Sequence, residues 1–326
     1  SLFSNIPLNF YHISVEDRIR SGSKNLNKVT FAPNLFLQYS FASFWKASLN
    51  GNIGYSFGDI NDVYAGYILT NPNRFSFMTM DNPIVETTRK SAGARIEYRN
   101  PLNNLFFNVG YRMNWNTRNL TTNVLTRGTG TSTIEYLVRD YNTESNGLSA
   151  EVGKYFPGFK TNVSVGYNNN TNRSEQMRNY VVQDVRGNSQ GLNFKFNNTY
   201  FEWLSFDYNM SAGWNRNKVG DIRLTPAKRY NHNLAGYIYP MDNHIIGFFW
   251  DQINSSSGDR KYRNAFYDLS YQYTWAKRKI DFELKWLNIA NRKLYEDYNI
   301  GTITEQYSRI QLRPSQVMFT VKFNFK

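Results

Sequence analysis

Leu204-Ser205-Phe206-Asp207-Tyr208-Asn209-Met210-Ser211-Ala212-Gly213-Trp214-Asn215 alternates apolar and polar residues without a break. A period of two is the signature of a β-strand, because successive side chains point to opposite faces of the pleat. One face of this segment carries Leu204, Phe206, Tyr208, Met210, Ala212 and Trp214, and the other carries Ser205, Asp207, Asn209, Ser211, Gly213 and Asn215. The same pattern recurs in Leu192–Tyr200, in Ile280–Trp286, in Leu105–Trp115 and in the terminal run Val317–Phe325. The fold class read from these segments is all-β.

A soluble sandwich also alternates, because its apolar face packs a core. Three features point elsewhere. The alternating runs reach about 10 to 14 residues, against a usual strand length of about 5 to 6. Their polar face mixes Asp, Glu, Lys and Arg with Gly and Ser, as a water-filled interior requires. Aromatics gather where strands meet short turns: Phe41, Phe44 and Trp45; Phe106 and Phe107 after Asn100-Pro101; Tyr155, Phe156 and Phe159 around Pro157-Gly158; Tyr200, Phe201 and Trp203. Rings at the membrane–water boundary produce such a girdle. The expected architecture is an antiparallel transmembrane β-barrel.

Composition agrees. The 326 residues include 24 Phe, 24 Tyr, 7 Trp and 43 Asn, with no cysteine. So many aromatics exclude a disordered chain, and the absence of cysteine excludes disulfides and thiolate metal sites. The longest apolar run, Ile245-Ile246-Gly247-Phe248-Phe249-Trp250, is far short of the roughly 20 residues of a membrane helix. The net charge of +13, from 38 Lys+Arg against 25 Asp+Glu, fits an anionic solute, anionic lipid headgroups or nucleic acid. Nucleic acid is disfavoured by geometry. In Phe194-Lys195-Phe196 the cation faces away from its flanking rings, so the strand offers no stacking platform.

The turns have a polarity. Six tight, aromatic-rich turns fall near residues 42, 101, 157, 201, 241 and 276, and longer polar connections are expected at 59–86, 118–143, 174–187, 217–226, 255–260 and 291–313. Short turns on one rim and long loops on the other are the outer-membrane pattern. Two strands per tight turn plus the last give about 13 strands. Bacterial single-chain barrels have even numbers, so the chain reads as the C-terminal part of a larger barrel. Residues 1–26 are expected as an outer loop, and residues 27–326 as the C-terminal portion of one barrel domain, with plug and N-terminal strands upstream.

Several segments carry a family resemblance. The terminal Phe319-Thr320-Val321-Lys322-Phe323-Asn324-Phe325 resembles the closing strand of outer-membrane barrels. The stretch Leu287-Asn288-Ile289-Ala290-Asn291-Arg292-Lys293-Leu294-Tyr295, followed by a polar loop and Arg313-Pro314, resembles the end of TonB-dependent transporters. Tyr67-Ile68-Leu69-Thr70-Asn71-Pro72 and Arg95-Ile96-Glu97-Tyr98-Arg99-Asn100-Pro101 are similar to the carboxypeptidase-regulatory-like branch of that superfamily. The resemblance implies a 22-stranded barrel, an N-terminal plug and a TonB box, the last two not present in these residues. It also implies uptake of a large or scarce solute at the outer membrane of a Gram-negative bacterium. The energising TonB-type complex would act through the upstream part, with outer-membrane lipid and a surface lipoprotein or other complex subunits as further partners.

Candidate site residues follow from the alternation. The lumen-facing set is Arg95, Glu97, Arg112, Glu151, Lys195, Asp207, Asn209, Asp281, Glu283, Lys285 and Lys322; the membrane-interface girdle is Phe41, Trp45, Phe107, Tyr155, Phe159, Tyr200, Trp203, Tyr239, Trp275 and Phe325. Asp281 and Glu283 share a face as a glycosidase pair would, but their alternation with Lys285 reads as a solvated ion network. His12, His232 and His244 form no metal or triad motif, and Gly128-Thr129-Gly130 lacks the strand and helix of a phosphate loop. The chain is therefore expected to be no enzyme, with no catalytic, cofactor or metal site. The leading function is solute transport. The alternatives are a passive porin, a non-transporting scaffold in an outer-membrane or secretion complex, and an outer-membrane hydrolase using His232 or His244.

Overall fold

The computed structural model describes residues 1–17, 22–58, 66–79, 81–126, 131–300 and 305–323. The first strands are β1 (Leu2–Asn5), β2 (Leu8–Asp17), β3 (Gly22–Phe31), β4 (Asn34–Phe41), β5 (Trp45–Phe57), β6 (Gly66–Asn71) and β7 (Arg74–Met78). Next come β8 (Glu86–Asn100), β9 (Leu105–Thr126), β10 (Ser132–Phe156), β11 (Thr161–Arg178), β12 (Val181–Phe201), β13 (Leu204–Val219) and β14 (Ile222–Arg223). The rest are β15 (Ala227–Ile238), β16 (His244–Ser257), β17 (Arg260–Trp275), β18 (Ile280–Leu287), β19 (Leu294–Ile300), β20 (Glu305–Gln311) and β21 (Gln316–Phe323).

An antiparallel ladder runs β4-β5-β8-β9-β10-β11-β12-β13-β15-β16-β17-β18-β21, thirteen strands among the described residues. Each strand but one in this wall pairs with the next long strand in sequence, the simplest way to satisfy backbone N–H and C=O groups away from water. Residues 1–26, expected as an outer loop, contain more structure than that. Leu2–Asn5 adds a short strand to the free edge of β4, with Leu2 opposite Leu37, and β2 with β3 forms a separate hairpin.

Residues in register share a face, so the ladder tests the alternation strand by strand. One cross-strand row reads Phe41, Trp45, Tyr98, Phe107, Val152, Val165, Phe194 and Met210. The adjacent row on the opposite face reads Glu97, Asn108, Glu151, Gly166, Asn193 and Ser211. Apolar side chains on the first face stay uncovered: Phe319 is 64% exposed and Leu49 54%. Lipid is the solvent that such a face requires. On β13 the apolar run from Leu204 to Trp214 spans about 36 Å of strand, or about 28 Å of thickness at a tilt of about 40°.

The tight turns sit at one rim. Ala42, Asn104, Lys160, Asn243 and Lys279 each adopt positive φ there, the left-handed step that reverses a short hairpin. At the opposite rim the expected loops are largely ladder. Residues 118–126, 132–143 and 174–187 continue as paired ribbon, with Thr126 opposite Ser132 and Arg178 opposite Val181. Backbone pairing persists there because it saves hydrogen bonds, whatever the side chains meet.

One ribbon turns over. A bulge at Arg139 and Asp140, between the Val138 and Tyr141 pairings, interrupts the β9–β10 register, and a bulge raises local right-handed twist. Below it, β9 borders β8 and β10 borders β11. Beyond it, β9 pairs with the end of β11 (Met177 opposite Asn123) and β10 pairs with β7 (Ile134 opposite Ser76). The two strands have exchanged sides. Asn123, fully buried, bonds Glu135 Oε2 through Nδ2 (3.4 Å) and accepts from the Tyr180 amide (3.0 Å). Met78, Val85 and Leu120 make a small core beside Tyr136.

Candidate functional site

The polar face of the wall carries the candidate site. On β18 and β21, Lys285 Nζ meets Glu283 Oε1 at 2.9 Å and Lys322 Nζ meets Glu283 Oε2 at 3.4 Å, while Thr274 donates to Asp281 at 2.8 Å. The four charged residues proposed there as lumen-facing are brought together, with Glu283 as the ion-pair partner of both lysines and Asp281 as acceptor from Thr274. A pair engaged in this way is poorly placed for glycosidase chemistry, which needs one protonated acid and a free base or nucleophile.

A second group lies on β8 to β13. Arg95 Nε reaches Glu97 Oε1 at 2.7 Å, and Asn108 Nδ2 donates to Glu151 Oε2 at 3.2 Å. Arg95, Glu151, Asn193 and Lys195 line a cleft of about 570 Å³ along the wall. Lys195 stands opposite Asn209, Asn197 donates to Asp207, and Asn233 donates to Asp251. Arg112 stands apart, with Gly93 and Gly147 as its two cross-strand neighbours. The eleven positions named from sequence all fall on the polar face by register, in two clusters joined by asparagine-rich wall.

The girdle residues divide. Phe41, Trp45, Phe107 and Trp275 are on the apolar face near the tight turns, with Phe41 and Trp45 rings 6.2 Å apart. Phe159, Tyr200 and Trp203 flank turns, and the Tyr200 ring meets Phe159 at a tilt and Phe201 edge to face. Tyr155 and Tyr239 differ from expectation. Tyr155 is two pairs of residues from Glu151 on the polar face, and the Tyr239 hydroxyl lies 3.1 Å from Ser205 Oγ, also polar-face. A ring one residue out of phase points to the other solvent. Phe325 lies outside the described residues, as does Gly128-Thr129-Gly130.

The sequence reading missed a docked hairpin. Segment 291–313, expected as a loop, contains the β19–β20 pair, and it lies against the polar face of β15 to β17. Arg229 NH1 meets Asp297 Oδ2 at 2.9 Å, Asn264 Nδ2 donates to Glu296 O at 2.7 Å, and Asn288 N donates to Asp268 Oδ1 at 2.7 Å. The Tyr262 ring packs at a tilt against Tyr298 and Tyr307, with centroids 6.3 and 5.7 Å away. Tyr307 donates to Glu296 at 2.5 Å, and that bond to a carboxylate pushes its phenol above the ordinary value. The alternation Tyr295, Asp297 against Glu296, Tyr298 is too short to announce a strand, and no local signal pairs Asp297 with an arginine far away.

The histidines do not converge. His12 Nδ1 bonds Asn27 (2.6 Å), His244 Nδ1 bonds Tyr271 (2.6 Å), and His232 bonds Tyr208 (2.8 Å) on the apolar face. Among the described residues no group of three His, Asp or Glu side chains is arranged to hold a metal.

No family model matches the chain, and no curated protein matches it. Solved structures do. The ferric enterobactin receptor PfeA from Pseudomonas aeruginosa (Q482A mutant) aligns at 9% identity over 93% of this chain and 45% of its own, with a TM-score of 0.51. The ferric yersiniabactin uptake receptor FyuA from Yersinia pestis aligns at 9% identity over 99% of this chain and 52% of its own, with a TM-score of 0.49. The chain spans about half the length of these receptors. At such identity the likeness is one of fold, and it rests on PfeA: the chain folds as part of an antiparallel β-barrel like that receptor's.

Proposed function

We propose that the chain is the C-terminal part of a larger outer-membrane barrel that moves a solute across the outer membrane of a Gram-negative bacterium. The observation that carries this reading is the division of one thirteen-strand wall into an uncovered apolar face and a charged, asparagine-rich face. The fold likeness to a receptor about twice its length supports the larger barrel. In this reading residues 27–326 are wall, residues 1–26 belong to its outer end, and strands and a plug before Ser1 complete the barrel. The polar face is then the lumen, and the β19–β20 hairpin narrows its outer mouth. Energy reaches the barrel from a TonB-type complex through the plug. The wall's polar face carries ion pairs and amide hydrogen bonds, which suit a surface for passage and selectivity.

The test uses the full polypeptide in its own membrane. Uptake that stops when the inner-membrane proton gradient is collapsed, together with a closed channel in planar bilayers, is the expected result. An open, ungated conductance would replace the transporter with a porin. Stable co-purifying subunits with no solute uptake would replace it with a scaffold.

A further inference from the structure

We infer that the solute carries an extended peptide segment, which pairs as a third strand with the free edge of β20 in the mouth of the lumen. The inference rests on the transport reading above and names the chemistry of what is moved. It starts from the register of the β19–β20 hairpin. The Leu312 amide donates to the Lys293 carbonyl at 3.0 Å. In an antiparallel pair, residues that exchange backbone bonds alternate with residues whose N–H and C=O point away from the partner strand. Counting from that bond, Tyr295 with Ile310 and Asp297 with Ser308 are mutually bonded pairs. Glu296 and Tyr298 on β19, and Tyr307, Arg309 and Gln311 on β20, therefore turn their backbone groups outward.

The β19 edge is already taken. Asn264 on β17 donates through Nδ2 to the Glu296 carbonyl at 2.7 Å and accepts from the Glu296 amide through Oδ1 at 3.3 Å. A side-chain amide stands where the backbone of another strand would, and both bonds fall on a residue that the alternation turns outward. The next outward amide, Tyr298, donates to the Asp297 carboxylate at 3.0 Å. The β20 edge has no such cover. Among the described residues no hydrogen bond reaches the main chain of Tyr307, Arg309 or Gln311. Exposed edges are normally blunted by Pro, Lys or a bulge. Gln306 to Gln311 contain neither Pro nor Lys, their register is unbroken, and Tyr307, Arg309 and Gln311 are exposed.

Spacing and position select the occupant. Tyr307 to Gln311 span about 14 Å and offer a donor and an acceptor about every 7 Å. An extended peptide of about five residues repeats donor and acceptor at that same spacing, whereas a sugar ring or a compact chelate does not. In strand addition the backbone bonds supply affinity and alternate side chains supply selectivity. The edge stands in the mouth that the solute must pass, so a strand added here is cargo and not a lateral neighbour in the membrane.

The experiment titrates the full polypeptide in nanodiscs with a blocked pentapeptide of alternating threonine and valine. The same peptide N-methylated at every amide and a linear pentasaccharide of glucose are the controls. Calorimetry reads affinity, and residue-level amide exchange reads location. Arg309→Pro removes the central outward N–H and spares the hairpin's own bonds, because proline is tolerated where a strand's N–H faces solvent. Arg309→Gln removes the charge and keeps the N–H. One backbone hydrogen bond is worth a factor of roughly 2 to 12, and the proline ring also blocks approach. Arg309→Pro is therefore expected to weaken the peptide by about tenfold or more, and Arg309→Gln by about twofold at most. In wild type the peptide should slow exchange at Tyr307, Arg309 and Gln311, and neither control should. Slow exchange at Ser308 in both variants shows that the hairpin is folded; if Arg309→Pro unfolds it, the N-methylated peptide on wild type decides alone. Equal binding of the N-methylated peptide, undiminished binding to folded Arg309→Pro, or no peptide binding overturns the inference and leaves transport standing. Protection of the edge before peptide is added also overturns it, by assigning the edge to another part of the polypeptide. Peptide pairing in a protein that shows no gradient-dependent uptake overturns the transport reading and leaves a peptide-binding edge.

Discussion

Arg229 on the wall and Asp297 on the β19–β20 hairpin meet at 2.9 Å across 68 residues of sequence. The aspartate is largely sheltered (17% exposed side chain) and the arginine is half open. Such a pair is worth more than a surface ion pair because removing one partner strands the other in a poorly hydrated place. Asp297→Asn is therefore expected to loosen the hairpin by about 1–2 kcal/mol. Faster amide exchange over residues 294–298 and 306–311, with the wall unchanged, is the outcome to look for. Unchanged exchange means that the tyrosine packing alone holds the hairpin.

The hairpin should also respond to alkali. The folded-state pKa of Tyr307 is raised, chiefly by its hydrogen bond to Glu296. A raised pKa means that the protonated form is favoured in the folded state. Its contribution is fully present below the unfolded value near 10 and is lost as pH rises through the folded value. Tyr180, raised by its bond to Glu135, follows the same sign at the β11–β12 tip. Lys24 has the opposite sign. Burial lowers its pKa, partly offset by Asp81, so stability recovers as pH climbs from the folded value toward 10.5. Amide exchange at pH 9 and pH 11 should show the β19–β20 hairpin opening in wild type and a smaller change in Tyr307→Phe.

Gly153 is required by a ring. A Cβ built there falls 2.2 Å from Phe106, its cross-strand partner on the polar face. The phenyl ring lies over the glycine and covers its bare backbone, as aromatic rescue of a strand glycine does. Gly153→Ala is expected to destabilise by about 1–3 kcal/mol through overpacking. Gly153→Ala with Phe106→Ala should recover part of that loss. Thermal unfolding in detergent measures both, and additive losses would mean that the ring moves aside freely.

Glu283 bridges two strands by holding Lys285 and Lys322, and only 14% of its side chain is exposed. Glu283→Gln removes the acid that both cations share and leaves Lys322 with Asp281 as its cross-strand neighbour. A loss of about 1–3 kcal/mol is expected, with earlier separation of β21 from β18. Restoration of stability by a second change, Lys322→Gln, would tie the loss to charge. No recovery would assign it to side-chain shape.

The wall was legible because two solvents write a period of two. Leu192–Tyr200, Leu204–Asn215 and Ile280–Trp286 each become ladder strands with the faces read from sequence. Where the apolar band ends, both solvents are water and the code disappears. Residues 174–187 are expected as a loop, yet Ser174 to Arg178 are paired with Val185 to Val181 of β12. Backbone hydrogen bonding leaves no trace in polarity, so the ribbons read as loops. The half-turn at Arg139-Asp140 and the Arg229–Asp297 contact depend on three-dimensional approach between distant segments, which one-dimensional patterning does not carry.

The same code makes the sharpest prediction for the wall itself. Asn193 and Phe194 are adjacent in sequence and opposite in solvent: Asn193 pairs with Gly166 and Ser211, Phe194 with Val165 and Met210. Phe194→Arg puts a guanidinium on the apolar face, where the cost near the bilayer centre is about 2–4 kcal/mol. Asn193→Arg puts the same group among amides and water, and it should cost less than about 0.5 kcal/mol. Unfolding in guanidinium from lipid vesicles reports both on one scale. Equal costs would mean that both faces meet the same solvent, and then neither a membrane wall nor a lumen describes this sheet. A difference that shrinks when vesicles are replaced by a polar amphipol, with its thinner apolar shell, would tie the cost to bilayer depth and not to packing against Met210.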